Sequence, residues 1–127
     1  MANLGTILNG PARKGRWDFM STRSRIMYIE SKAEGLQGSA RIGRVSFTKS
    51  GKGIYYKDRE FYRISGFKAN YADAATREEY WISGPRRDGL DRLYGPSALP
   101  VYIDDDVREE YWLQIRKKPD CVARETT

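Results

Sequence analysis

The sequence predicts a mostly β fold, a small antiparallel barrel or strongly bent sheet with one C-terminal amphipathic helix. Six short runs of apolar and aromatic residues follow one another at close spacing, separated by polar turns. A later segment instead repeats its apolar residues every four positions, which is typical of a helix. At 127 residues the chain is long enough for one hydrophobic core and too short for two ordinary domains.

The chain divides into three parts: a flexible basic N-terminal extension at residues 1–19, a single small β domain with its helix at 20–118, and a flexible tail at 119–127. In the extension, Asn9-Gly10-Pro11 interrupts regular structure and Arg13–Arg16 forms a short basic run. The extension is either a basic arm for nucleic acid or a disordered terminus. Because Met20 could itself be a natural start, the sequence leaves open whether residues 1–19 are native.

The first two strands differ in their hydrophobic pattern. Ile26–Ile29 is an apolar run between polar ends, which is typical of a strand buried on both faces. Ala40–Thr48 predicts a second strand, in which Ile42 and Val45 have opposite parity. Because the parity changes beside Gly43, we expect a bulge or a sharp bend there.

Two hairpins and one short strand follow. The first hairpin joins Ile54–Tyr56 to Glu60–Ile64, and the second joins Lys68–Asp73 to Glu79–Ser83. Val101–Ile103 adds a short strand, and the whole would resemble a small SH3-like barrel.

One helix is predicted from about Asp105 to Lys117. Acidic residues occupy its first turn, basic residues occupy its last, and Pro119 ends it. Its apolar stripe should cover one end or face of the barrel. The residues of the stripe are Val107, Tyr111, Trp112 and Ile115.

The same five residues occur twice, as Arg77–Trp81 and as Arg108–Trp112. The first copy precedes Gly84-Pro85, which ends a strand, whereas the second follows three aspartates, which favour the start of a helix. We therefore predict a strand for the first copy and a helix for the second.

Composition favours a binding protein over an enzyme. The net charge of +6 favours an acidic partner such as nucleic acid. The chain has no histidine, and Cys121 is its sole cysteine, so an intrachain disulfide, the usual zinc sites and a thiol–imidazole pair are excluded. We expect no cofactor and no metal, and the absence of an apolar run of about 18 residues predicts a cytoplasmic protein without a membrane span. The oligomeric state stays open.

The stretch Tyr80–Tyr94 brings core and surface chemistry together. Its aromatic strand ends at Gly84-Pro85, and a loop with three arginines and two aspartates follows. Such a loop either clamps an acidic ligand or is neutralised by its own Asp88 and Asp91. The aspartates at 104–106 pose a similar choice between a magnesium or calcium site and helix capping, and capping is the simpler interpretation.

The candidate binding residues combine cations with an aromatic ring: Arg86, Arg87, Arg92, Lys57, Arg59 and Tyr62. Alternating strands could place rings for base stacking beside cations for phosphates. In the alternative interpretation the rings belong to the core and the cations only solvate the surface. The leading hypothesis is a non-enzymatic module that binds nucleic acid or another acidic partner. A protein–protein adaptor or small regulatory subunit with a tyrosine-rich face is the alternative, and an enzyme with a carboxylate-based site is the third.

Several segments also carry a family resemblance: Met20–Glu30, Ala40–Val45, Ile54–Lys57, Tyr80–Pro85 and Ile103–Trp112. In these segments the chain resembles a family of small, uncharacterised bacterial proteins. Some similar chains bear the name 1-deoxy-D-xylulose-5-phosphate synthase, a thiamine-diphosphate enzyme. Such an enzyme is several times longer and needs cofactor-binding and metal-binding segments that this sequence lacks. The resemblance therefore implies no cofactor and no catalytic residues.

Overall fold

The computed structural model describes residues 23–127, so the extension predicted at 1–19 lies outside the described residues. The fold is mostly β, as predicted, and its strands are β1 (Ser24–Ser31), β2 (Ala40–Phe47), β3 (Gly53–Tyr56), β4 (Arg59–Arg63), β5 (Tyr71–Asp73), β6 (Glu79–Ser83) and β7 (Val101–Ile103). In the part of the chain that the structure describes, no helix is long and apolar enough to cross a membrane.

Six of the strands close into an antiparallel barrel. They are hydrogen-bonded in the order β1-β6-β5-β4-β3-β2, and β2 pairs back with β1. The closing pairs place Tyr28 opposite Ser83 on one edge of β1 and Arg25 opposite Val45 on the other. β7 lies outside this circle and runs parallel to β2. Closure leaves the barrel strands without a long free edge.

β1 and β2 are buried on both faces, which corrects the expectation of a bulge beside Gly43. Ser24–Glu30 pairs with Ala40–Ser46 in one continuous register, without an inserted residue. Ile42 packs on the outside of the barrel, whereas Val45 packs in its interior. The apparent change of parity therefore reflects two buried faces of one regular strand.

Gly43 is needed because two side chains lie against its Cα. A Cβ atom there would lie 2.6 Å from Cε1 of Tyr56 and 2.6 Å from Oδ2 of Asp104. Beside this glycine β2 also changes its second partner, from β7 at Ala40–Ile42 to β3 at Ser46 and Phe47. The glycine thus admits the Tyr56 ring to the barrel interior.

The outer face of β1 and β2 is covered by a helical segment at residues 105–115, called the helical cover below. It begins with a 3₁₀ turn at Asp105–Val107, continues with an α turn at Arg108–Glu110 and ends with a π turn at Tyr111–Ile115. The predicted C-terminal helix is confirmed, but it ends at Ile115 rather than at about Lys117, where a left-handed φ of 58° excludes a further helical residue. The wider π turn allows the adjacent Tyr111 and Trp112 to be buried together, and the prediction that the stripe covers one face of the barrel is confirmed.

The two copies of the repeated pentapeptide differ as predicted. Glu79–Trp81 of the first copy belongs to β6, and Arg108–Trp112 of the second belongs to the helical cover.

Residues 119–127, expected to form a flexible tail, return to the outside of β7. The amide of Ile103 donates to the carbonyl of Glu125, and the amide of Thr127 donates to the carbonyl of Val101. The indole Nε1 of Trp112 donates to the carbonyl of Arg124 at 3.0 Å. The two backbone bonds satisfy groups on the outer edge of β7 that would otherwise face solvent, and the indole bond ties the same segment to the helical cover.

Candidate functional site

The two openings of the barrel carry different charge patterns. Side chains of each strand alternate between the interior and the exterior, so the last inward-facing residues of each strand line an opening. One opening, called the acidic opening below, contains the buried carboxylates of Asp73 and Asp104. The other, called the basic opening below, is lined at strand ends and the adjoining loop by Arg23, Arg25, Phe47, Lys52 and Arg63.

At the acidic opening, Asp104 is 5% exposed and gathers three partners. Its Oδ1 accepts a hydrogen bond from Nε of Arg41 at 2.6 Å. Its Oδ2 accepts one from the hydroxyl of Tyr56 at 2.5 Å and lies 3.6 Å from Nζ of Lys57. Burial and this hydrogen bond raise the pKa of Tyr56 above its ordinary value, so the hydroxyl stays a donor.

Asp104 therefore does not cap the helical cover through its side chain, which corrects the simpler interpretation given to the aspartates at 104–106. Asp105 and Asp106 do lie in the first turn, as expected. Within residues 23–127 no group of three or more carboxylate or thiol side chains is arranged to hold a metal ion.

Asp73 neutralises a third cation, Arg59, at the same opening. Nη1 of Arg59 donates to Oδ2 of Asp73 at 3.0 Å and to the hydroxyl of Tyr80 at 3.0 Å. Oδ1 of Asp73 accepts from the backbone amides of Ala75 and Thr76. Although burial acts to raise the pKa of Asp73, these amides and the Arg59 guanidinium together hold it below its ordinary value. The cations of the acidic opening are thus paired with carboxylates.

The cations of the basic opening have no carboxylate partner among the described residues. Side chains two residues apart in a strand face the same way, so Arg23 and Arg25 face inward with the buried Met27 of β1. Arg63 faces inward for the same reason, two residues after the buried Phe61 of β4. All three arginines are exposed, as is Lys52 in the neighbouring loop. Ion pairs within residues 23–127 involve none of these four side chains.

Aromatic rings support these guanidinium groups from inside the barrel. The guanidinium carbon of Arg23 lies 5.2 Å from the ring centroid of Phe47. That of Arg63 lies 5.5 Å from the ring centroid of Tyr71, and its Nη1 donates to the Tyr71 hydroxyl at 3.0 Å. The guanidinium of Arg25 lies against Gly84, at the end of β6. The rings hold the cations at the opening and are themselves covered by them.

The loop at residues 84–100 partly neutralises itself, as one of the two interpretations expected. Arg86 forms an exposed, bidentate pair with Asp88, at 2.8 Å from Nη2 to Oδ2. Hydrogen bonds from the amide of Leu90 and from Arg86 hold the pKa of Asp88 below its ordinary value. Arg87 is exposed and forms no ion pair with a described residue. The loop begins at Gly84, which lies against the Arg25 guanidinium, and it contributes one exposed cation without an ion pair among the described residues.

Arg92 belongs to a buried network rather than to the surface. Its side chain is 10% exposed, and Nη1 donates to Oε2 of Glu30 at 3.1 Å and to the carbonyl of Gly38 at 2.9 Å. Lys32, which is fully buried with Glu30, donates to the same Oε2 at 2.9 Å. The hydroxyl of Tyr28 donates to the other carboxylate oxygen at 2.7 Å. Two cations therefore share one carboxylate beside β1.

The six residues singled out in the sequence thus lie in four places. Lys57 and Arg59 lie at the acidic opening, Arg86 and Arg87 lie in the loop that follows β6, and the Arg92 side chain, 10% exposed, belongs to the Glu30 network. Tyr62 is 40% exposed on the outer wall of β4. Arg23 and Arg25 were missed, although the alternation of Met27 and Ile29, continued upstream, would have placed them on the inward face.

The fold and the site together define a small, closed antiparallel β barrel with one acidic and one basic opening. No protein family, curated protein or solved structure matches the chain at a significant level. The resemblance to small bacterial proteins stays an expectation from the sequence.

Proposed function

We propose that the protein binds single-stranded nucleic acid through its phosphates at the basic opening. The observation that carries this proposal is the set of three arginines, Arg23, Arg25 and Arg63, exposed at one opening without a carboxylate partner among the described residues.

The contrast between the two openings supports this choice. Arg41, Lys57 and Arg59 have buried carboxylates within 4 Å at the acidic opening, so their charges are largely compensated within the fold. The arginines of the basic opening have no carboxylate partner within residues 23–127, which leaves their charge for an external anion. Guanidinium groups match the geometry of phosphate oxygens better than ammonium groups do.

The covered rings favour phosphate binding over base stacking. Phe47 and Tyr71 already carry a guanidinium over one face, whereas the exposed rings of Tyr62 and Phe67 belong to the outer wall of β4 and to the loop that follows it. Binding would therefore depend strongly on salt and weakly on base sequence. A flexible single strand can follow a concave opening more closely than a stiff duplex can.

The proposal is tested by fluorescence anisotropy with labelled single-stranded DNA and RNA at about 50 and 200 mM salt. The double variant R25A/R63A should weaken binding at least about tenfold and reduce the slope of log Kd against log salt by about 1.4, since each phosphate contact on a single strand contributes about 0.7. Unchanged affinity in this variant would overturn the proposal.

A matched control separates the opening from the overall charge. R77N/K118A also removes two exposed cations that form no ion pair with a described residue, and asparagine accepts the left-handed backbone at position 77, where φ is 67°. Its affinity should stay within about twofold of wild type. An equal loss in both double variants would show that net charge alone drives binding.

The loop at residues 84–100, which begins where Gly84 lies against Arg25 of the basic opening, gives a second test. If a bound strand passes from the opening over the loop, R86A/R87A should bind it more weakly than the wild type does. Arg87 should account for most of this effect, because Arg86 is held by Asp88. No second function is proposed, because no observation favours a partner for the tyrosines that remain outside the two hydrophobic clusters, which bury Tyr28, Tyr56, Tyr71 and Tyr111.

A further inference from the structure

The guanidinium groups of Arg25 and Arg63 lie over neighbouring strands at the basic opening. Arg25 belongs to β1 and Arg63 to β4, and β6 and β5 are the two strands between them in the barrel. Nη2 of Arg25 lies 2.9 Å from the position that a Cβ atom of Gly84 would take, directly after β6. The guanidinium of Arg63 lies over the ring of Tyr71 in β5 and donates to its hydroxyl at 3.0 Å. Each guanidinium therefore lies against the strand next to its own, and the two approach each other from opposite sides.

The side chain of Asn70 joins the two supports. Its Nδ2 donates to the carbonyl of Ile82 at 2.8 Å, and its Oδ1 accepts from the amide of Ile82 at 2.9 Å. Asn70 directly precedes Tyr71, and Ile82 is two residues before the glycine that supports Arg25. Neighbouring strands lie about 4.8 Å apart. One phosphate group, with charge-assisted hydrogen bonds of about 2.8 Å on each side, can bridge two guanidinium groups at such a spacing.

The basic opening is a cup that is closed below. The barrel interior beneath it is filled by the hydrophobic cluster that contains Met27, Val45, Ile54 and Phe61. Six strands spaced by about 4.8 Å and tilted by about 40° enclose a circle about 12 Å across between Cα atoms. A nucleic-acid strand that entered and left this cup would have to reverse its direction within that width, whereas the end of a strand can enter alone. The cup therefore favours a strand end over an internal segment.

We propose that Arg25 and Arg63 together bind the terminal phosphate of a single strand. This assignment rests on the proposed nucleic-acid function and narrows its ligand to strands that end in a phosphate monoester. A terminal phosphate offers three free oxygens and a charge of about −1.5 to −2 at pH 7, whereas a phosphodiester within the strand offers two oxygens and a single charge. Two guanidinium forks can therefore donate more hydrogen bonds to the terminal group. Arg23 lies on the other side of β1, over Phe47 of β2, where it can contact the next phosphate of the strand.

The test compares three forms of one oligonucleotide by fluorescence anisotropy at about 50 mM salt: with hydroxyls at both ends, with a 5′-phosphate and with a 3′-phosphate. The strand is about ten nucleotides long and carries its label on an internal base, so both ends stay free. At least one phosphorylated form should bind at least about fivefold more tightly than the hydroxyl form, because the terminal group accepts additional charge-assisted hydrogen bonds. Equal affinity of the three forms would overturn the proposal.

Variants separate the two-arginine site from the extra charge of the ligand. R25K/R63K keeps the net charge but replaces both forks with ammonium groups, so the ratio of affinities for the phosphorylated and hydroxyl strands should fall below about twofold. Both side chains are exposed, so the barrel should stay folded. R77N/K118A removes two exposed cations outside the opening and should keep the wild-type ratio. A ratio that survives in R25K/R63K, or that falls equally in R77N/K118A, would also overturn the proposal.

A circular single strand of the same base composition separates the terminal site from nucleic-acid binding as such. It should bind with the salt dependence expected of phosphate contacts, but more weakly than the phosphorylated linear strand. If the circular and hydroxyl strands bind in this way and the terminal phosphate adds nothing, only the terminal site is refuted. If no strand binds, the proposed function and the terminal site are refuted together.

Discussion

The ammonium of Lys32 lies 2.9 Å from the carboxylate of Glu30, and neither side chain is exposed to solvent. Arg92 reaches the same carboxylate at 3.1 Å. A buried pair of this kind adds little when intact, but the loss of one partner is costly because a charge stays behind without compensation. Since one carboxylate serves two cations here, its loss should cost more than the loss of either cation.

E30Q should therefore destabilise the barrel by about 3–5 kcal/mol, the range for breaking a buried ion pair. K32M should cost clearly less, because Glu30 keeps Arg92 and methionine fills a similar volume. Urea unfolding followed by tryptophan fluorescence measures both free energies. A smaller loss in E30Q than in K32M would contradict the idea that the carboxylate is the shared centre of the network.

G43A should destabilise the fold by about 1–3 kcal/mol, the usual cost of overpacking. The new Cβ would meet the buried Tyr56 ring and the Asp104 carboxylate, which cannot move without losing their own hydrogen bond. G84A is the matched control, because the atom met there is the end of the exposed Arg25 side chain. Similar melting temperatures for the two variants would refute the close-approach explanation.

Asp73 should contribute to acid denaturation. Its pKa is lowered in the folded state, so its stabilising contribution is present above the ordinary carboxyl pKa of about 3.9 and is lost as the pH falls through the lower folded value. D73N retains an oxygen for the amides of Ala75 and Thr76 but loses the charge. The difference in free energy of unfolding between wild type and D73N should therefore shrink as the pH falls from about 5 to about 2. Urea unfolding across this range measures the difference. D58N, at an exposed turn position, should stay within about 0.5 kcal/mol of wild type throughout.

Arg92 and Arg87 should separate stability from binding. R92A removes hydrogen bonds to Glu30, Gly38 and Leu99 and should cost on the order of 1–3 kcal/mol. R87A should change the free energy of unfolding by less than about 0.5 kcal/mol, since the side chain is exposed, and should weaken nucleic-acid binding. R92A should bind nucleic acid as tightly as the wild type does when both are measured at a temperature at which the variant is fully folded.

Local patterns were sufficient for most strands of the barrel. The bounds of β6 and β7 agree with the prediction, because turn residues mark the ends of a short strand and alternating side chains mark its length. The repeated pentapeptide was separated correctly for the same reason, since its flanking residues decide between strand and helix. The apolar run of β1 also indicated correctly that this strand is buried on both faces. What the pattern could not supply was the second buried face of β2, which depends on where the helical cover packs.

The candidate site was predicted less completely, because charge in a sequence does not reveal its partners. Arg92 and Arg87 look alike in the sequence, yet one is bound to Glu30 from a distant strand and the other is exposed. Asp104 likewise resembles its two acidic neighbours, although it alone lies beside Arg41 and Tyr56. Pairings between distant segments decide which cations remain for a ligand, and no local motif records them.

The two buried faces of β1 also constrain how the chain can assemble. β1 is made well before β6, the strand that closes the barrel beside it, and the cover of its outer face comes later still, with Tyr111 and Trp112. Until then a growing chain carries an apolar strand that is open on both sides, the kind of species that aggregates. Refolding should accordingly be slow for a chain of this size, with a yield that falls as the protein concentration rises.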